Sequence, residues 1–300
     1  MTGPLLDALV DDAGLFPPTA LSMPEAVARH RADRAAAEPM LTQRFLCPAS
    51  RLGELRAQLA DGDRFELGLI ADRGADGLAE AVAEAAADPR LSLALLELPL
   101  AAFGRDGLLD PLAVALRAVA AAPASVPAYL EPPVPTGVDA LLDAIGEHGR
   151  GHDRPLGAKL RCGGVRAELF PTASEAAHFI VACVDLAVPF KATAGLHHAV
   201  RHKDAATGFL HHGYLNLLLA TAAAVTGSGE DEVRVALEIE DPGLIGRQVA
   251  ALDPRTAALA RKALVSYGSC STGTPVVEAR TIVSLHGHGT HGTDGKDHSK

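Results

Sequence analysis

Tryptophan is missing from the chain, and its 300 residues contain only three tyrosines and four cysteines. So few thiols cannot staple a fold, and stability has to come from a packed core. Lysine is scarce as well: none occurs before Lys159, and the 27 basic residues include only six lysines. A nucleic-acid or polybasic membrane surface needs clustered basic residues, and a formal net charge of −10 works against both. No apolar run reaches the ~20 residues that span a bilayer. The longest, residues 214–225, falls well short. The opening MTGPLLDALVDDAG carries early acids and no basic segment, so it does not read as a secretory signal. These absences imply a cytoplasmic protein with neither nucleic acid nor membrane as a partner.

What is present has the make-up of a globular protein, 48% hydrophobic and 21% charged. Alanine, about a fifth of the residues, favours helices. Residues 9–12, 44–47, 65–71, 91–98, 126–131, 156–161, 188–193 and 264–269 read as strands, each followed by an amphipathic helical stretch. Extra helices are expected over 209–224 and within 230–260, between the seventh and eighth strands. Eight strand-helix units over residues 1–285 fit a single α/β domain, a (β/α)8 TIM barrel, which typically takes ~250 residues plus insertions. A doubly wound open sheet competes, but its usual glycine-rich first turn is missing, the first unit reading VDDAGLFPP. The tail, residues 286–300, is Gly/His-rich and is expected to be disordered, with at most weak affinity for metals.

Barrel chemistry belongs at the C-terminal ends of the strands. Those ends carry Asp11 and Asp12, Cys47, Asp72 with Arg73, Glu97, Glu131, Lys159 with Arg161, Lys191 with Thr193, and residues 266–271. Lys159 and Lys191 stand out because they lie inside apolar strands, GAKLR and VPFKATAG, of a chain that otherwise uses arginine. An amine can lose its proton and attack a carbonyl, whereas a guanidinium stays charged. Strand alternation puts Lys159 and Arg161 on one face, and likewise Lys191 and Thr193. With the outer faces packed on helices, both lysines point inward from adjacent strands, where like-charge repulsion and desolvation would lower an ammonium pKa. The opposing reading has the lysines salt-bridged to Glu97 or Glu131 as filling of the barrel.

On these segments the chain resembles the class I, Schiff-base aldolases, most closely the deoxyribose-phosphate aldolase type. In that family a lysine on the sixth strand forms the imine and a second on the seventh tunes it. FKATAGLHH is similar to the family's seventh-strand segment, a lysine followed by small residues and glycine. The resemblance implies Lys159 as the Schiff-base lysine and Lys191 as its partner. Two departures are visible: Gly-Leu-His-His follows the second lysine, and no phosphate-gripping glycine pair is evident at the eighth strand.

His197, His198, His202, His211 and His212 cluster after the seventh strand. They read as acid-base groups, as anion holders with Arg201 and Lys203, as metal ligands, or as ordinary loop histidines. The turn SYGSCSTG offers Ser269 and Ser271 to an anion, or caps the following helix. The expectation is a lyase that acts on a small anionic carbonyl substrate and needs no cofactor. Lys159 and Lys191 carry its chemistry, and Glu97, Glu131, His197 and His198 move protons. Asp12, Arg161, Thr193, Arg201, Ser269 and Ser271 hold the substrate. One alternative is a barrel hydrolase or lyase with a divalent metal at His197 and His198, and another is a non-catalytic binding subunit. The alanine-rich helices are compatible with a homodimer.

Overall fold

Eight parallel strands close on themselves in the computed structural model, which describes residues 4–104, 110–134, 137–151, 153–205 and 207–286. The first seven are β1 (Val10–Asp12), β2 (Leu41–Pro48), β3 (Phe65–Ile70), β4 (Leu91–Pro99), β5 (Ala128–Glu131), β6 (Leu156–Arg161) and β7 (Phe190–Thr193). A small antiparallel hairpin, β8 (His202–Lys203) and β9 (Leu210–His211), lies outside the barrel, and β10 (Leu264–Ser269) closes it between β7 and β1. This is the (β/α)8 TIM barrel with added helices before the last strand. The proposed tail lies outside the described residues, apart from His286, which ends the last helix.

Between the first seven strands come α1 (Met23–Ala36), α2 (Leu52–Gln58), α3 (Gly74–Ala86), α4 (Pro111–Ala118), α5 (Asp139–Gly151) and α6 (Ala173–Asp185). The insertion holds α7 (Tyr214–Val225), α8 (Glu230–Glu238), α9 (Pro242–Ala251) and α10 (Pro254–Ala263), and α11 (Gly273–His286) follows β10. The region expected as helix over 230–260 is cut into three by two Asp-Pro pairs. Asp241 and Asp253 accept backbone N–H groups as caps, and the prolines that follow occupy first-turn positions where no N–H is needed. α6 starts on a capping box, with Thr172 and Glu175 each satisfying the other's backbone N–H. Among the described residues no helix is long and apolar enough to cross a membrane.

The apolar core lies between the strands' outer faces and the helices. Phe179 of α6 meets Phe190 of β7 edge to face, and Tyr214 of α7 stacks on Tyr267 of β10 with ring centroids 5.3 Å apart. Tyr214 also donates its hydroxyl to the Pro275 carbonyl at 2.7 Å, tying the insertion to α11. The inner face is different. Leu46 of β2 reaches past β1 until its methyl lies 3.1 Å from where a Cβ on Gly268 of β10 would stand. Most of the remaining inward positions on β1 and on β4 to β7 are polar or charged.

The segments leaving β6 and β7 touch backbone to backbone. Gly195 has φ 69°, and a Cβ there would sit 2.3 Å from the Cys162 carbonyl oxygen. Both the left-handed conformation and the backbone neighbour demand glycine. Gly195→Ala is therefore expected to cost about 2–3 kcal/mol of stability. Chemical denaturation would measure it, and an unchanged midpoint would show that the two exits can part freely.

Candidate active site

The register of the barrel sets which side chains meet at its axis. Lys159 pairs with Lys191 across β6 and β7, and Arg161 pairs with Thr193 one layer closer to the C-terminal end. Ser266 of β10 stands in register with Lys191, and Glu97 of β4 stands beside Tyr129 of β5. On β1, Val10 and Asp12 share one face, so Asp11 turns the other way, toward the axis.

These residues form one chain of alternating charge. Arg44 Nε donates to Asp11 Oδ1 at 2.8 Å, and Lys191 donates to Asp11 Oδ2. Lys191 Nζ also lies 2.9 Å from Glu97 Oε1, an ion-pair contact without hydrogen-bond alignment. Lys159 donates to Glu97 Oε2 and lies 2.9 Å from Glu131 Oε2. Arg161 Nε closes the row on Glu131 Oε1 at 2.7 Å. Thr42 and Ser266 hydroxyls add bonds to Asp11 at 2.6 and 2.8 Å, and the Tyr129 ring lies 5.6 Å below Lys191 Nζ.

Four cations (Arg44, Lys191, Lys159, Arg161) thus face three carboxylates (Asp11, Glu97, Glu131), a surplus of one positive charge. Lys191 is sealed at 0% exposure and Lys159 has 4%, while the Arg161 side chain is 34% exposed at the C-terminal end. The row is thus most open to solvent at Arg161, the end where a barrel admits ligands, while the Arg44 side chain at its other end is 19% exposed.

Lys159 is not lowered beside the second ammonium, contrary to the expectation from their proximity. Burial alone would lower the Lys159 pKa, but Glu131 and Glu97 outweigh it and the net shift is upward. Burial likewise opposes charge on Glu97, and Lys159 with Lys191 holds its carboxyl below the usual range. Glu131 is lowered against its own burial by Lys159 and Arg161, and Asp11 is held far below by Lys191 and Arg44. Burial pushes the Tyr129 hydroxyl up to about 12, so it stays a neutral donor.

Of the residues expected at the site, Lys159, Lys191, Glu97, Glu131, Arg161 and Thr193 come together. Asp12 does not, because alternation turns it outward onto α1, where Arg29 and His30 bind it. Ser269 shares that outer face, in register with Asp12, and donates to the Ser271 carbonyl at 2.6 Å. Ser271 accepts the Thr274 N–H, so this turn caps α11 instead of facing the lysines. Arg201 is held by the insertion, its backbone N–H on Asn216 and its guanidinium 3.7 Å from Glu240. His198 pairs with Glu278 of α11 at 2.7 Å, away from the axis.

His197 stays near the C-terminal end of β10, with Nδ1 3.4 Å from Cys270 Sγ, and its pKa is lowered by burial and by His198. His202 and His211 stack at 5.2 Å, and His212 is lowered to about 4 by burial. Among the described residues no group of three or more His, Cys, Asp or Glu side chains is arranged to hold a metal ion. Burial also raises the Cys47 thiol to about 12, and Cys162 and Cys183 higher still, which leaves them protonated.

Asp11 and Arg44 are the members that residue reading left out of the site. The signal for Asp11 was its opposite phase to the apolar Val10; Arg44 shares its face with Leu46 and gave no such contrast. No family model, curated protein or solved structure matches the chain.

The network fixes a pH profile. Asp11, Glu97 and Glu131 have depressed folded-state values, so their contribution is complete above about pH 5 and is lost as pH falls below about 4. Lys159 is raised, so its contribution holds below about pH 10 and fades above it. Thermal unfolding across pH should show this plateau. Lys191→Met, which takes from Asp11 and from Glu97 one of the two cations each holds, is expected to cost about 2–3 kcal/mol and to shift the acid limb upward. A Lys191→Met protein as stable as the parent would remove the network from the barrel's energetics.

Proposed function

We propose that the protein is a lyase of the class I aldolase kind, forming a Schiff base between Lys159 and a small anionic carbonyl compound. The observation that carries this reading is the in-register, inward pair Lys159 and Lys191 bridged by Glu97, with Arg161 at the open end. Arg161 takes the substrate's anionic group and relaxes its hold on Glu131. Glu131, less neutralised, becomes the stronger base and accepts a proton from Lys159. In a site with little water this transfer replaces a charged pair by a neutral amine and acid, which lowers the cost of burial.

The free amine then attacks the carbonyl carbon, and the carbonyl oxygen takes the proton back from Glu131. Glu131 then takes a proton from the adduct's nitrogen and delivers it to the hydroxyl, so that water leaves and the iminium forms. As a base takes the proton of the substrate's β-hydroxyl, the electrons of the Cα–Cβ bond pass to the iminium; the β-carbon leaves as a carbonyl product, and the enamine left on Lys159 is protonated and hydrolysed to free the second. Lys191 fixes Glu97. His197, near the C-terminal end of β10, serves a proton on the solvent side.

One specific feature favours a second reading, a barrel with binding or assembly duties and no chemistry. Every inward lysine and carboxylate of the row already has an oppositely charged partner. Borohydride reduction in the presence of small aldehydes and keto acids, read by intact mass and peptide mapping, separates the two. The lyase reading expects one adduct, on Lys159, that Lys159→Arg abolishes with the fold retained. No adduct with any carbonyl, and a Lys159 no more reactive to amine reagents than the exposed Lys262, would leave the second reading standing.

A further inference from the structure

Behind β1, on the side away from the barrel axis, a separate set of polar groups is buried against α1 and β2. Asp12 anchors it. Its Oδ1 accepts the Gly14 N–H at 3.0 Å and the Arg29 guanidinium, and its Oδ2 faces His30 Nδ1 at 3.0 Å. The Asp12 carboxyl is lowered, burial being outweighed by His30 and Arg29, so it is an ionised acceptor. His30 Nδ1 must then carry the proton of that contact.

The other ring nitrogen, Nε2, is buried without a hydrogen-bond partner, on a residue only 1% exposed. Asp33 Oδ2 and Gln43 Oε1 are buried without partners too. These three residues, with Asp12 and Thr272, line one cavity of about 10 Å³, which is room for a single water-sized body. Gln43 is held at φ 63°, a left-handed conformation unusual for a residue with a Cβ.

With the imidazole in its neutral form, three unpartnered acceptor atoms belong to residues that line space for one small body. A water has two hydrogens to donate and cannot satisfy all three, whereas a cation can. An imidazole whose far nitrogen donates to a carboxylate is the arrangement in which histidine binds metals, the carboxylate fixing ring and tautomer. A set of one nitrogen and two oxygens, with a hydroxyl beside it, suits zinc and similar ions better than magnesium or calcium. Only His30 and Asp33 are of the usual ligand types, and the Gln43 amide completes the set.

We propose that His30 Nε2, Asp33 Oδ2 and Gln43 Oε1 form a structural site for one zinc-class divalent ion, with Asp12 orienting the imidazole. The ion ties α1 to β1 and β2, next to the seam where the barrel closes. This site is independent of the lysine network and of the reaction assigned to it.

The test uses the full chain, stripped with a chelator and returned to zinc. Zinc content and thermal unfolding are then read for the parent, Asp33→Asn and Gln43→Gly. Asp33 is only partly buried on α1, so its variant should fold, and Gln43→Gly relieves the left-handed backbone while removing the amide. The parent should hold one more equivalent of zinc than either variant, and zinc should raise its Tm. Both variants should bind zinc at least about 10-fold more weakly, with Gln43→Gly unfolding no lower than the metal-free parent. Equal zinc content and equal Tm response in all three would put the ion elsewhere, such as the histidines of residues 286–300, and overturn the proposal. No zinc and no Tm response in the parent would assign the cavity to water and overturn it equally.

Discussion

Glu97 stands between two ammonium groups that the barrel's register forces side by side. Without it, Lys159 and Lys191 would repel each other in a medium that screens charge poorly, and one would have to shed its proton or leave the interior. With it, one carboxylate holds both. The neighbouring links repeat the same logic: Asp11 sits between Arg44 and Lys191, and Glu131 between Lys159 and Arg161. Each inner member is shared by two oppositely charged neighbours, so removing one weakens both links, which makes the row a unit and not a set of separate pairs.

A barrel interior is usually filled by branched apolar side chains in layers. Here that filling is confined to a few residues such as Leu46, and the apolar burden moves outward to the strand-helix interface. There Phe179, Phe190, Tyr214 and Tyr267 are buried, and the alanine-rich helices approach the sheet closely. Hydrophobic burial outside the barrel offsets the desolvation of charges inside it. The charged row contributes less to net stability than to uniqueness of register, since any slip separates charges that are already dehydrated.

Much of this was legible from residue order. The eight strands followed from short apolar runs between alanine-rich stretches, and the lysines from their placement in a chain built on arginine. Alternation put Lys159 with Arg161 and Lys191 with Thr193 on the inner face, as found. Residue type alone misjudged the outcome of proximity, because the like-charge argument lacked the third group: that Glu97 would reach both ammoniums depends on β4 and β7 meeting across the axis. The serine turn and His198 went astray for another reason. Strand-end position says which end a residue occupies but not which way it faces, and α11 claimed both with a cap and an ion pair. The hairpin of β8 and β9 left no trace at all, since each strand has two residues and no period to read.

The adjacent aspartates of β1 show how strongly direction matters. Asp11 and Asp12 are neighbours in sequence, yet one serves the charged row at the axis and the other the His30 cluster behind the sheet. The strand that carries them has three residues and seals the barrel between β2 and β10. A shift of one residue would exchange their faces, leaving Lys191 opposite Val10 or Asp12's partners empty. Two unrelated polar assemblies, one on each side, therefore demand the same register of the shortest barrel strand. The seam most exposed to slippage is thus the one held by charge from both faces, and whatever chemistry the axis performs begins from that constraint.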